Sequence, residues 1–218
     1  MKEDELKILK NRLKSAFSNY YELAGGKEFR YHHHISVRQY ALELMNRDEI
    51  CGDYDSDVVE IAALFHDVGR AEDIEEGWMS PFEGHEGHGE RGAEKVESYI
   101  GDLVNQDTLE HVETIIQNHV DTEPESVEGR IVQDADLLFK FGVHDMWRMF
   151  HYASEKDEDI MENIEYFKQG KIPKLEKEIE DFHYDITEKI AEKRFKSLKR
   201  SMKLFEEHLH GKDISKIS

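Results

Sequence analysis

At 218 residues the chain is long enough for one well-buried domain, or for one domain and an appendage. Apolar residues are 38% and charged residues 36%, with 29 basic against 49 acidic side chains and a net charge of −20. So acidic a surface repels nucleic-acid backbones and anionic membranes, which excludes non-specific duplex or bilayer binding and leaves any anionic ligand dependent on local cations, metal ions included.

Leu6, Leu9, Leu13, Phe17 and Tyr20 stand at helical spacing and predict a helix over 3–24, stopped by Gly25-Gly26. The next predicted helix covers 31–47. There His33, Val37, Ala41 and Leu44 follow at steps of four, four and three, which puts His33 on the buried face. Asp55-Ser56-Asp57 supplies N-cap candidates for a helix over 56–67. The segment 68–87, with its glycines, Pro81 and Trp78, reads as a loop of the length that functional lids have. Helices are predicted over 88–99 and from Gln106 to Asn118 or His119, where Val112, Ile115, Ile116 and His119 share a face. An acidic loop, 120–129, precedes a helix over 130–152.

From Pro173 to His210 runs an apolar stripe through Leu175, Ile179, Phe182, Ile186, Ile190, Phe195, Leu198, Met202 and Phe205. It predicts one long helix, or two broken ones, packed back on the bundle. Its drift from a strict heptad disfavours the rival reading, a coiled-coil arm, although the stripe is compatible with a homodimer. The tail after Gly211 is expected to fray. The three prolines all fall between helical patterns, so the expected fold is all-α: a single-domain helical bundle with a long amphipathic C-terminal helix. No segment approaches the ~20 apolar residues of a membrane span. The opening MKEDELKILKNRL is unlike a secretory signal, and Cys51, alone, builds neither a disulfide framework nor a cysteine-rich zinc site. A cytoplasmic location is the expectation.

The most informative feature is the pair His66-Asp67, at the end of the apolar run Ile61-Ala62-Ala63-Leu64-Phe65. Neighbours inside a helix point about 100° apart, so they seldom reach one point; at a helix end both can. His33, His88, His119 and Asp136, each in or beside a predicted helix, extend the pair to six candidates. Imidazole and carboxylate without thiolate suit manganese, iron, cobalt, nickel or zinc, with magnesium at carboxylate-rich positions. Six protein ligands exceed what one tetrahedral ion needs and suit two ions bridged by a carboxylate and a water. Alternatives stay open: His32 or His34 beside His33, His85 beside His88, and Asp134 beside Asp136, since residues two apart cannot share a helix face.

The order and context of these residues resemble the HD superfamily of metal-dependent phosphohydrolases. The matching pieces are His33-His34-Ile35-Ser36-Val37, Ala62-Ala63-Leu64-Phe65-His66-Asp67-Val68-Gly69-Arg70, His88-Gly89-Glu90-Arg91-Gly92-Ala93-Glu94, Ile115-Ile116-Gln117-Asn118-His119 and Ile131-Val132-Gln133-Asp134-Ala135-Asp136-Leu137. The tail, with Asp185-Ile186-Thr187 and Ile190-Ala191-Glu192-Lys193-Arg194, is similar to the C-terminal helix of a bacterial and archaeal subgroup of small HD hydrolases. The resemblance selects His33, four residues before Val37; His88, four before the glycine-alanine pair; and Asp136, in its alanine-aspartate-apolar context. It implies an N-terminal helix over 1–29, an HD metal-binding core over 30–152 and a helical extension over 153–218. It implies two divalent ions held by His33, His66, Asp67, His88, His119 and Asp136, with Asp67 as the bridge.

The implied reaction is hydrolysis of a small phosphate ester or nucleotide by attack of a metal-bound hydroxide, with Arg70 meeting substrate phosphate. The rival for Arg70 is a surface pairing with Glu72 or Asp73. Arg91 is a weaker phosphate candidate, and Glu90 and His85 are candidates for the general acid. Trp78 and Phe82 would either stack on a base or plug the loop onto the bundle. Two alternatives use the same ligands: a di-iron oxygenase of HD-like type, and a regulatory module that keeps the fold without catalysis.

Overall fold

The structure is a computed structural model and describes residues 1–18, 21–22, 24–71, 87–120 and 122–214. Among the described residues it is almost entirely helical, with two short strands and a long C-terminal helix. No helix among the described residues is long and apolar enough to cross a membrane. Backbone contacts divide the chain into two compact units, Met1–Leu137 and Leu138–Ser218.

In the first unit, α1 (Glu3–Phe17) buries Leu9, Leu13 and Phe17 at four-residue steps. It ends earlier than the apolar spacing through Tyr20 predicts; Tyr20 itself lies outside the described residues. In place of a helix, Tyr21–Glu22 (β1) and Gly26–Lys27 (β2) pair antiparallel. Gly26 has φ 81, a left-handed conformation that glycine adopts without steric cost, and Gly25 N donates to Glu22 O at 3.0 Å. Helix α2 (Phe29–Met45) buries His33, His34, Val37, Arg38, Ala41 and Leu44. Helix α3 (Ser56–Phe65) is capped by the Asp55 carboxylate, which accepts from Asp57 N at 2.9 Å and Val58 N at 3.4 Å. All residues from Val58 to Phe65 are buried, so α3 is the central helix, packed on α2 and on α5 (Gln106–Gln117). Helix α4 (His88–Ile100) buries Gly89, Gly92, Val96 and Ile100 and packs along α5, with Gly89 and Gly92 against its end at Ile116 and Gln117. Helix α6 (Val127–Phe139) carries the aspartates Asp134 and Asp136.

A buried ion pair joins α2 to α3. Arg38 of α2 donates to Glu60 of α3, and both residues are only 8% exposed. Removing one partner strands a buried charge, a cost of about 3–5 kcal/mol, whereas removing both is near neutral. Glu60→Leu is therefore expected to lower the melting temperature by roughly 6–20 °C for a chain of this size, and Arg38→Met/Glu60→Leu to restore most of it. Thermal melts of both variants check this.

The predicted helix over 130–152 is two helices, α6 and α7 (Asp145–Glu155). Between them the bonding tightens into turns, with Phe141 N on Leu138 O at 3.2 Å and Asp145 N on Gly142 O at 3.0 Å. A Cβ at Gly142 would lie 2.0 Å from the His144 ring, so a side chain there would have to displace that imidazole.

The second unit continues through α8 (Ile160–Tyr166), which lies ahead of the predicted stripe, a π turn over Phe167–Lys171, and α9 (Ile172–Glu178). A 3-10 turn, Ile179–Asp181, and Phe182 in extended backbone break the stripe before α10 (Asp185–Leu209). Phe141 anchors this unit's core, 5.6 Å from the Phe182 ring and 6.1 Å from that of Phe195.

Candidate metal centre

The site is built from helix ends. His66 caps α3, and Asp67 follows in a run of i→i+3 bonds: Val68 N to Phe65 O at 2.9 Å and Arg70 N to Asp67 O at 3.0 Å. This tight winding past the helix end lets two sequence neighbours face one centre. His119 lies just past the C-terminus of α5, and His88 is the first residue of α4. His33 and Asp136 come from within α2 and α6.

The six side chains form two groups. His33, His66 and Asp136 make one; Asp67, His88 and His119 make the other, with the ligand atoms in each within 4.8 Å of one another. In the first group His33 Nε2 lies 3.1 Å from His66 Nε2 and 3.2 Å from Asp136 Oδ1, and His66 Nε2 lies 3.4 Å from that same oxygen. Asp67 joins the groups. Its Oδ2 is 3.6 Å from His33 Nε2 and 3.8 Å from His66 Nε2, while its Oδ1 is 3.2 Å from His88 Nε2 and 3.4 Å from His119 Nε2. Each oxygen of one carboxylate thus faces a different group.

Two of the imidazoles are held by the helices they terminate. His66 Nδ1 is 2.9 Å from Ala63 O, and His119 Nδ1 is 2.6 Å from Ile116 O. The last carbonyls of a helix lack intrahelical donors, so each accepts the Nδ1 proton. That bond fixes the tautomer and leaves the Nε2 lone pair pointing into the site, as a metal ligand requires. Both Nε2 atoms are buried there.

Charge follows the same plan. Burial works against the Asp67 carboxylate, but Arg70 and Arg30, with the His119 and His33 imidazoles, outweigh it and hold its pKa well below the usual range. Burial likewise opposes the Asp136 carboxylate, and His66 and His33 hold it well down. Burial lowers the pKa of His119. It also acts against the His66 cation, yet Asp136 raises that pKa on balance. The site thus keeps two anionic carboxylates among imidazoles, a donor set that fits hard or borderline divalent ions.

The alternatives separate by geometry. His32 is exposed. His34 is fully buried, with its ring centroid 5.2 Å from that of Phe17 and 4.9 Å from that of His66, and it enters neither group. Burial, first among the causes, pushes its pKa well down, as for a neutral core imidazole. Asp134 is 1% exposed and also enters neither group. Arg70 Nε donates to Asp67 Oδ1 at 3.0 Å. Glu90 is exposed and Arg91 lies beside it on the first turn of α4. Glu72, Asp73, Trp78, Phe82 and His85 lie outside the described residues. Sequence reasoning missed Arg30, which donates to Asp67 Oδ2 and to Glu22 Oε1. Its position three residues before His33, on the same helix face, was the available signal.

Residues 30–139 match the family model described as HD domain, and the chain belongs to that family. No protein of curated function matches it. Several solved structures share the fold. A predicted HD superfamily hydrolase from an uncultured Thermotogales bacterium aligns at 23% identity and TM-score 0.64, over 94% of this chain and 92% of its own. YpgQ of Bacillus subtilis, solved in complex with ADP, aligns at 19% identity and TM-score 0.60, over 98% of this chain and 100% of its own. The Lin1889 protein of Listeria innocua aligns at 17% identity and TM-score 0.61, over 94% and 97%.

Proposed function

We propose that this chain is a divalent-metal phosphohydrolase acting on a nucleotide or another small phosphate ester. His33, His66 and Asp136 would hold one ion, His88 and His119 a second, and Asp67 both. The observation that carries this is the single Asp67 carboxylate turned to both groups, Oδ2 to one and Oδ1 to the other. The ADP bound by the fold relative YpgQ favours a nucleotide among phosphate esters.

When bound, two divalent ions supply Lewis acidity and bring the pKa of water towards neutrality. The chain supplies the rest. Carbonyls of Ala63 and Ile116 hold two imidazoles in the tautomer that donates its Nε2 lone pair. Asp67 and Asp136 stay ionised and offset the charge of the ions. Arg70, bonded to Asp67 Oδ1, would meet a phosphoryl oxygen and offset the repulsion that an acidic surface exerts on an anion. No side-chain nucleophile is needed.

The test is metal content and hydrolysis measured together on protein purified without a histidine tag. Phosphate esters and nucleotides are assayed with manganese, nickel, cobalt, magnesium and iron. Two ions per chain and hydrolysis abolished by His66→Ala support the proposal. Arg70→Ala is expected to lower kcat/KM on the order of 10–100-fold, through the lost phosphate contact and through the Asp67 Oδ1 that Arg70 holds. Tightly held iron with oxygen consumption and no hydrolysis would replace the hydrolase with an oxygenase. Nucleotide binding by metal-free, inactive protein would make it a regulatory module.

A further inference from the structure

Arg30 lies on the first turn of α2 and its side chain is 12% exposed. One terminal nitrogen donates to Asp67 Oδ2 and the other to Glu22 Oε1. Glu22 sits on β1, and its side chain is 11% exposed. A guanidinium buried between two carboxylates is fixed at both ends, and it cannot swing to a ligand without stranding one of them. Arg70 Nε stands at the other oxygen, Oδ1. Each Asp67 oxygen therefore faces one guanidinium and one group of imidazoles. A carboxylate oxygen has two lone pairs and can serve both.

We infer that Arg30, anchored by Glu22, is a positioning residue that orients the Asp67 carboxylate so that Oδ2 presents a lone pair to the His33–His66–Asp136 group. It thereby sets the affinity for the metal ion held there. The inference rests on the two-metal reading above. Two effects compete. A cation beside a metal site repels the ion, while a hydrogen bond that orients a ligand strengthens binding. Glu22 offsets the Arg30 charge, so repulsion is largely cancelled and orientation dominates. The hairpin serves this purpose: the pairing of Glu22 with Gly26 places the glutamate against α2.

The test is calorimetric titration of metal-free protein with manganese, with steady-state hydrolysis measured alongside. Arg30→Gln is expected to weaken one of two sites about 10–100-fold and to leave the other unchanged. Glu22→Gln moves the same site in the same direction by less. Glu22→Gln/Arg30→Gln is no weaker than Arg30→Gln alone, because Glu22 acts through Arg30. Arg30→Lys does not restore affinity, since an ammonium lacks the planar fork that spans two carboxylates. If Arg30→Gln fails to fold with Glu22 left charged, the double variant, free of both charges, carries the same comparison. Unchanged affinity at both sites with a raised KM would make Arg30 a substrate contact and overturn the inference. Equal weakening of both sites would make its role generally structural and overturn it too. Wild-type protein that binds two ions without hydrolysing any phosphate would remove the hydrolase reading and leave this one standing.

Discussion

On the two-metal reading proposed above, Asp67→Asn is expected to release both ions at once and take metal content from two per chain to fewer than one. Hydrolysis falls with it by on the order of 10³-fold or more, the scale of losing a principal electrostatic group of an active site. The amide keeps the shape of the carboxylate. It loses the charge, and it puts hydrogens on one of the two atoms that face His33–His66–Asp136 and His88–His119. His88→Ala, by contrast, should spare the ion at the first group. Acid offers a second lever. Asp136 raises the His66 pKa, so a proton competes for Nε2 below that raised value, and metal affinity falls as pH drops through it.

In metal-free protein the sign for the carboxylates is equally definite. Asp67 and Asp136 have pKa values held well below the unfolded range, so their contribution is present above about pH 4 and is lost as pH falls through the folded values. Metal analysis of the purified variants and apo melting curves against pH check these statements. An Asp67→Asn protein that keeps one ion at wild-type affinity would show that the two groups do not share the carboxylate.

The sequence carries much of this site because helix ends and helix faces are periodic objects. His33 is legible from Val37 and Ala41, which repeat on one buried face, and His66-Asp67 from the apolar run it closes. The choice between His33 and His34 turns on which side chain reaches the other helices, and neighbours 100° apart around one helix look alike in composition. His34 instead fills the core against Phe17.

What the sequence withholds is held by short-range geometry. The Glu22–Arg30–Asp67 contact depends on two strands of two residues each, where apolar spacing through Tyr20 extends the helical pattern too far. The break between α6 and α7 has the same character. Phe139 and Phe141 continue an apolar stretch, and the turn shows only in the short-range bonds from Phe141 N to Leu138 O and from Asp145 N to Gly142 O. The imidazole-to-carbonyl bonds of His66 and His119 are invisible in composition, because a backbone acceptor leaves no residue type behind.

Gly69→Ala is expected to cost stability and metal together. Gly69 follows Asp67 in the turn past α3, where the chain passes the first turn of α4. A Cβ there would lie 2.1 Å from His88 O and 2.7 Å from Gly92 N, both backbone atoms that no rotamer change can withdraw. The neighbouring contact is also tight: a Cβ at Gly89 would meet Gln117 O at 2.6 Å and Ile116 O at 3.1 Å, and Ile116 O is the carbonyl that holds His119. The glycines thus let α3, α4 and α5 approach until Asp67, His88 and His119 share one point. One methyl at position 69 must push the start of α4 away, at a cost of about 1–3 kcal/mol for overpacking. That lowers the melting temperature by roughly 2–12 °C at this chain length. His88 moves with the helix, so the ion of the Asp67–His88–His119 group is weakened more than that of His33–His66–Asp136. Melting curves with and without manganese, together with metal stoichiometry, measure both parts. If the variant melts and binds like the wild type, the turn after Asp67 is free to shift, and the close packing of α4 is not what brings His88 to the site.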